Sequence, residues 1–184
     1  NLNSALAALG ETARLMNTKQ TRTIATVGGN LCHASPSADL TPPLIAMGTQ
    51  VKLQGPEGER VIPLGDFHIG VNETALADNE IVIEFIVPHV SEQLAASYNR
   101  IARTVVDIAL VSSAVCLRID DTKTIQDAGV VLGAVGPTAI RAPDAENVLI
   151  GVGLEELANG TAQKAGAQAS LAARAISDIR ASQE

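Results

Sequence analysis

The groups in this 184-residue chain that could meet a ligand are concentrated in one run, residues 26–42. It reads Thr-Val-Gly-Gly-Asn-Leu-Cys-His-Ala-Ser-Pro-Ser-Ala-Asp-Leu-Thr-Pro. A β-branched stretch, residues 24–27, reads as a short strand running into two adjacent glycines. Glycine tolerates positive φ and leaves its N–H uncovered, so Gly28 and Gly29 can bring bare amides up to an anion such as a pyrophosphate. Ser35, Ser37 and Asp39 then offer short hydroxyls and a carboxylate, groups that bind sugar or ribitol hydroxyls. Two readings stand side by side. One is a nucleotide-cofactor loop; the other is a tight turn at residues 28–30, with Asp39 as a helix N-cap. Spacing alone favours the turn, but the turn does not account for the full length of the pattern.

Other reactive side chains form no constellation. Cys32 and His33 are adjacent, but two neighbours on a loop fall short of the four ligands of a structural metal site. They are expected to be loop residues beside a cofactor, and no metal site is predicted. His68 and His89 read as surface residues, and the three histidines stand in unrelated segments with no nucleophile to activate. Arg141 and Glu146 read as a structural charge pair, and Tyr98, the single tyrosine, as a residue packed between two units.

The elements that must position these groups alternate in type. Residues 3–16 carry Leu6, Leu9, Ala13 and Met16 at helical spacing, with Asn3 or Ser4 as the cap. After Asp39, Leu-Thr-Pro-Pro-Leu-Ile-Ala-Met predicts a short helix closed by Gly48. Residues 51–53 and 60–64 form a hairpin around Gln-Gly-Pro-Glu-Gly-Glu, residues 66–77 are mostly loop, and residues 80–87 are a strand ended by Pro88. Beyond a polar linker at 89–96 come strands at 98–103, 108–119 and 130–135, with a turn at 120–123. A proline-opened helix at 143–150 follows, then an Ala-rich helix at 154–176 with Gly160 and Gly166 as weak points. The pattern is α+β, in two small units meeting near residue 88.

Composition narrows the class. Hydrophobic residues make up 46% and aromatics only 2%, so the core must be built from Ala, Val, Ile and Leu. A net charge of -7 without a basic stripe argues against nucleic acid or an anionic membrane as partner. The two cysteines, Cys32 and Cys116, are too few for a disulfide framework and fit a reducing compartment. The longest apolar stretch, residues 105–117, is interrupted by Asp107 and too short to span a bilayer.

Four blocks resemble, in order and spacing, the FAD-carrying subunit of the molybdenum hydroxylase family, of the xanthine dehydrogenase and carbon monoxide dehydrogenase type. The first is Thr26 to Asn30 followed by Ser35-Pro36, Asp39-Leu40 and Pro42. The second is Asp66-Phe67, Gly70, Thr74-Ala75-Leu76, Asn79-Glu80-Ile81 and the strand ending at Pro88. Tyr98, Arg103 and Asp107-Ile108-Ala109 make the third; the fourth runs from Gly136 to Ala142, then Ala145-Glu146, Leu149 and Gly151.

The resemblance implies the second subdomain of a vanillyl-alcohol-oxidase-type FAD-binding domain in residues 1–88. A small α+β C-terminal domain with an antiparallel sheet would follow in residues 89–184. It implies FAD, with Thr26, Val27, Gly28, Gly29 and Asn30 along the pyrophosphate, Ser35 nearby, Asp39 on the sugar portion and Val82 by the flavin. Asn99 or Arg100 falls near a position that is often Lys in relatives. No catalytic side chain is expected, because the cofactor carries the chemistry. Molybdopterin and 2Fe-2S clusters would sit on partner subunits, and electrons would pass from the clusters through FAD to NAD⁺, a quinone or oxygen. A cofactor-free interaction module of the same fold is the alternative; a stand-alone flavin oxidase is disfavoured by the C-terminal blocks. Thr104 departs from the pattern, which often has a second arginine after Arg103. The chain is expected to start after the family's first FAD loop and, through the lead-in at residues 178–184, to stop before a final helix: truncated at both ends. A cytoplasmic location is expected.

Overall fold

The computed structural model describes residues 4–91 and 93–174. Helix α1 (Ser4–Leu15) forms where the spacing predicts, burying Ala5 and packing Leu9 and Ala13 inward. The expected cap involves Asn3 and the Ser4 side chain, which lie outside the described residues.

Residues 24–27 do not form the expected strand. Thr18 caps a short helix α2 (Lys19–Ile24), its hydroxyl accepting from the Thr21 amide at 3.3 Å. After two extended residues, Thr26 caps α3 (Val27–Cys32). Two threonine hydroxyls spaced to satisfy helix-start amides outweigh the β propensity of Ile24 and Val27, which have no neighbouring strand to pair with.

Helix α4 (Thr41–Ala46) carries Pro42 and Pro43 in its first turn and is followed by Gly48 at φ +77°. Strands β1 (Gln50–Gly55) and β2 (Gly58–Pro63) make the predicted hairpin. The 66–77 stretch is more ordered than expected, holding the end of a short helix α5 (Leu64–Phe67) and a small hairpin of β3 (His68–Gly70) and β4 (Glu73–Thr74). Strand β5 (Ile81–Ile86) joins β1, giving the antiparallel order β2-β1-β5. Leu31, Leu44, Val51, Leu53, Leu64 and Phe67 fill the core beneath this sheet, and Phe85 meets Phe67 edge-on at 6.3 Å.

The second sheet is antiparallel in the order β6 (Leu94–Ile101), β7 (Val111–Ile119), β8 (Ile125–Gly133), β9 (Ile140–Arg141). Strand β8 starts five residues before the predicted run, because Asp120 builds a compact turn into it. One Asp120 carboxylate oxygen accepts from the amides of Thr122 and Thr124, both at 2.9 Å. One face of this sheet, with Val130 and Leu132, packs on α6 (Pro143–Leu149) and α8 (Ala162–Ala172). The predicted Ala-rich helix is divided. A brief α7 (Leu154–Glu156) is separated from α8 by Gly160 at φ +102°, whereas Gly166 is accommodated inside α8. Residues 175 and 176 of that prediction lie outside the described residues.

The opposite face of the same sheet is covered by α1 and α4 from the first half of the chain. Side chains there are small: Ser112, Ala114 and Cys116 on β7, with Gly129 and Gly133 on β8. A Cβ on Gly129 would overlap the Ala46 carbonyl, and one on Gly133 would lie 2.7 Å from the Pro42 ring. Glycine at both places lets α4 lie directly on the sheet.

Candidate functional site

The glycine pair sits in the first turn of α3. Thr26, with extended backbone, accepts the Gly29 N–H on its hydroxyl at 2.9 Å, and its carbonyl accepts the Asn30 N–H at 3.0 Å. The amides of Val27 and Gly28, also in that first turn, have no intrahelical acceptor and lie where the helix dipole is positive. Neither glycine adopts positive φ, contrary to the sequence expectation. Their contribution is a bare surface: a Cβ on Gly28 would meet only the Phe85 ring at 3.9 Å, and one on Gly29 would press the Thr26 hydroxyl at 3.0 Å. Beside them, the side-chain oxygen of Asn30 is buried and has no hydrogen-bond partner among the described residues.

The carboxyl end of α3 is fastened from the β3–β4 hairpin. His68 Nε2 bonds the Leu31 carbonyl at 2.7 Å, the Asn72 amide donates to the Ala34 carbonyl at 3.0 Å, and Asn72 Nδ2 donates to the His33 carbonyl at 3.0 Å. Ala34 and Asn72 both hold positive φ to make this clasp. His68 is therefore buried, 6% exposed, and not the surface residue expected. Burial lowers its pKa, and the bond to Leu31 opposes this only in part. His89 is exposed, as expected. Cys32 is exposed at the end of α3, with its thiol pushed up by partial burial. No group of three or more His, Cys, Asp or Glu among the described residues is placed to hold a metal.

Ser35 begins a chain of turns, its carbonyl accepting from the Ala38 amide at 3.0 Å. Asp39 ends it at the seam with the second sheet. It is no N-cap, since Leu40 holds that position without a side-chain bond. Its carboxylate accepts from the Tyr98 hydroxyl at 2.6 Å and from Arg100 Nη1 at 3.2 and 3.3 Å. A carboxylate has about four lone-pair positions, so one on Oδ2 stays open. Arg100 also holds the carbonyls of Leu15 at 2.7 Å, Val105 at 2.8 Å and Asp107 at 3.1 Å, joining both halves of the chain. Burial first, and then Asp39, pushes the Tyr98 phenol well above its ordinary pKa, so it stays a donor.

Thr26 to Asn30 thus share one short helix, and Ser35 and Asp39 follow on the next turns. Val82 lies apart, in β5 opposite Leu53, packed against the first core. The β5 residue that reaches Gly28 is Phe85, which sequence reasoning missed although it is one of only two phenylalanines. Asn72 was missed too; the signal available was an asparagine between two short β-prone runs. Arg141 donates to Glu146 at 2.7 Å, and the same Glu146 oxygen accepts the Val130 amide at 2.9 Å, so this pair closes the end of the sheet.

Two family models account for the chain: the FAD binding domain in molybdopterin dehydrogenase matches residues 1–90, and the CO dehydrogenase flavoprotein C-terminal domain matches residues 96–184. The carbon monoxide dehydrogenase medium chain of Hydrogenophaga pseudoflava is 32% identical over 143 residues, which are 78% of this chain and 50% of that one. The putative xanthine dehydrogenase FAD-binding subunit of Escherichia coli is 30% identical over 129 residues, 69% of this chain and 44% of that one. The present chain therefore spans about half the length of these relatives. The solved structure of carbon monoxide dehydrogenase from H. pseudoflava lacking the Mo-pyranopterin moiety superposes with a TM-score of 0.87. It does so at 30% identity, over 97% of this chain and 61% of that one. An amide-lined helix start on a mixed α+β scaffold, and sequence matches along both halves, lead to the same place: the chain belongs to the FAD-binding subunits of the molybdenum hydroxylase family.

Proposed function

We propose that this chain supplies the pyrophosphate and sugar side of an FAD site in the electron-transfer subunit of a molybdopterin-dependent hydroxylase. The observation that carries the reading is the amino end of α3. Amides of Val27 and Gly28 without intrahelical acceptors, a Gly28 surface in only ordinary contact with the Phe85 ring, and an Asn30 oxygen unpartnered among the described residues form a cradle that fits a diphosphate and the hydroxyls beside it. Thr26 and Gly29 hold the cradle's shape. Ser35 and the open lone pair of Asp39 are suited to the sugar portion. Phe85 on β5 lies against Gly28, and Val82, packed on the first core, would stand by the flavin as the family resemblance implies.

FAD, when bound, accepts electrons and releases them to a second carrier; this chain's residues bind and orient it. Electrons would come from 2Fe-2S clusters on an iron–sulfur subunit, fed by a molybdopterin subunit, and leave to NAD⁺ or another acceptor. The chain itself divides into a FAD-binding part, residues 1–88, and a C-terminal part, residues 89–184. Support comes from family models that meet between residues 90 and 96. No helix among the described residues is long and apolar enough to cross a membrane, and a cytoplasmic setting accompanies this reading. A second reading, an interaction module without cofactor, draws on the Gly29 amide and most of Asp39 being engaged within the chain.

Titrating FAD into the full-length subunit and its Gly29→Val variant, followed by flavin fluorescence, separates the two. The first reading expects affinity to fall by at least about tenfold, or about 1.4 kcal/mol. No binding by the parent supports the interaction module; binding that Gly29→Val leaves unchanged puts the FAD site elsewhere than the start of α3.

A further inference from the structure

A second concavity lies at the seam, where α4 ends over the C-terminal sheet. Its volume is about 120 Å³; Met47 and Gly48 form one wall, Cys116 lies beneath, and Arg118, Asp127 and Arg141 give it charge. The register explains the gathering. Arg118 stands opposite Asp127, Cys116 opposite Gly129, and Arg141 opposite Val131, all on the face that α4 covers. Gly129 has no side chain to fill the space.

Two guanidinium groups line the concavity with one carboxylate, Asp127, while Arg141 is also bonded to Glu146 outside it. The Arg118 guanidinium takes part in no ion pair or side-chain hydrogen bond found among the described residues, although it is cross-strand from Asp127. Arg141 uses only Nε on Glu146, at 2.7 Å, leaving its two outer nitrogens for another acceptor. The Cys116 thiol brings no competing negative charge, since burial and then Asp127 push it up to about 11. Both arginines are exposed to solvent, and guanidinium groups pair with planar or tetrahedral oxyanions through forked hydrogen bonds.

We propose that this concavity binds a small oxyanion, a carboxylate or phosphate group, between Arg118 and Arg141. Its walls come from α4 and from the C-terminal sheet, so the occupant braces the two halves against each other. Binding to the folded chain alone then raises stability by mass action.

The test is thermal unfolding of the full chain at fixed ionic strength, with chloride replaced by inorganic phosphate or by acetate. A saturable rise in Tm of about 2–4 °C is expected once the anion stands about fivefold above its Kd. Arg118→Gln abolishes the rise and leaves the anion-free Tm where it was; Arg118→Lys restores part of it. A stronger response to phosphate assigns a phosphorylated ligand, an equal response a carboxylate. A rise no greater than in chloride, or an equal rise in Arg118→Gln, overturns the proposal.

Discussion

Two pairs of glycines in this molecule, adjacent at 28 and 29 and four residues apart at 129 and 133, do opposite things. An added methyl at Gly28 would make only ordinary contact with Phe85, and one at Gly29 would press the Thr26 hydroxyl but no backbone. Around Gly129 and Gly133 the space is already taken, by the Ala46 carbonyl and the Pro42 ring. The second pair is required by the chain itself, so its loss should register as instability. The first pair is not required by the fold, which is what a surface kept clear for a ligand looks like.

Breaking the seam is the most severe test of this contrast. Arg100→Met leaves Asp39 buried without its cation and should cost about 3–5 kcal/mol in urea unfolding. A loss below about 1 kcal/mol, the worth of an exposed pair, would mean the seam is not what holds the halves together. Gly129→Ala should cost about 1–3 kcal/mol through overpacking against Ala46, with FAD affinity unchanged in what folds. Gly28→Ala should behave in reverse. A helical alanine adds about 0.5–1 kcal/mol to stability, while FAD affinity drops by about tenfold, or 1.4 kcal/mol. Should both properties move together, the two glycine pairs are not distinct.

The smallest effect concerns the clasp on α3. The buried His68 has a folded-state pKa below its ordinary 6.5. The unfolded chain therefore takes up a proton first as pH falls below about 6.5, and stability declines from there down to the folded-state pKa. His68→Gln should flatten that part of the Tm–pH profile. An unaltered slope would place the acid sensitivity elsewhere.

Much of the scaffold was legible because it follows local rules. Pro42 and Pro43 open α4, Gly48 closes it, the Gly58 turn joins β1 to β2, and Asp120 turns the chain between β7 and β8. The candidate site was legible as a string of residues but not as a shape. Ile24 and Val27 predict strand, and only the Thr18 and Thr26 hydroxyl bonds reveal two helix starts instead. His68 was misjudged because its partner, the Leu31 carbonyl, is 37 residues away. The role of Arg100 was equally hidden, since its acceptors at Leu15, Asp39 and Asp107 come from three separate segments.

The sheet that belongs to the second half is walled on one side by α1 and α4 of the first. Neither half can keep that wall dry by itself, so the molecule should melt in one cooperative step although its sequence reads as two units. A protease nick at the exposed Pro88-His89 stretch should release nothing: both pieces would co-elute on gel filtration until denaturant separates them.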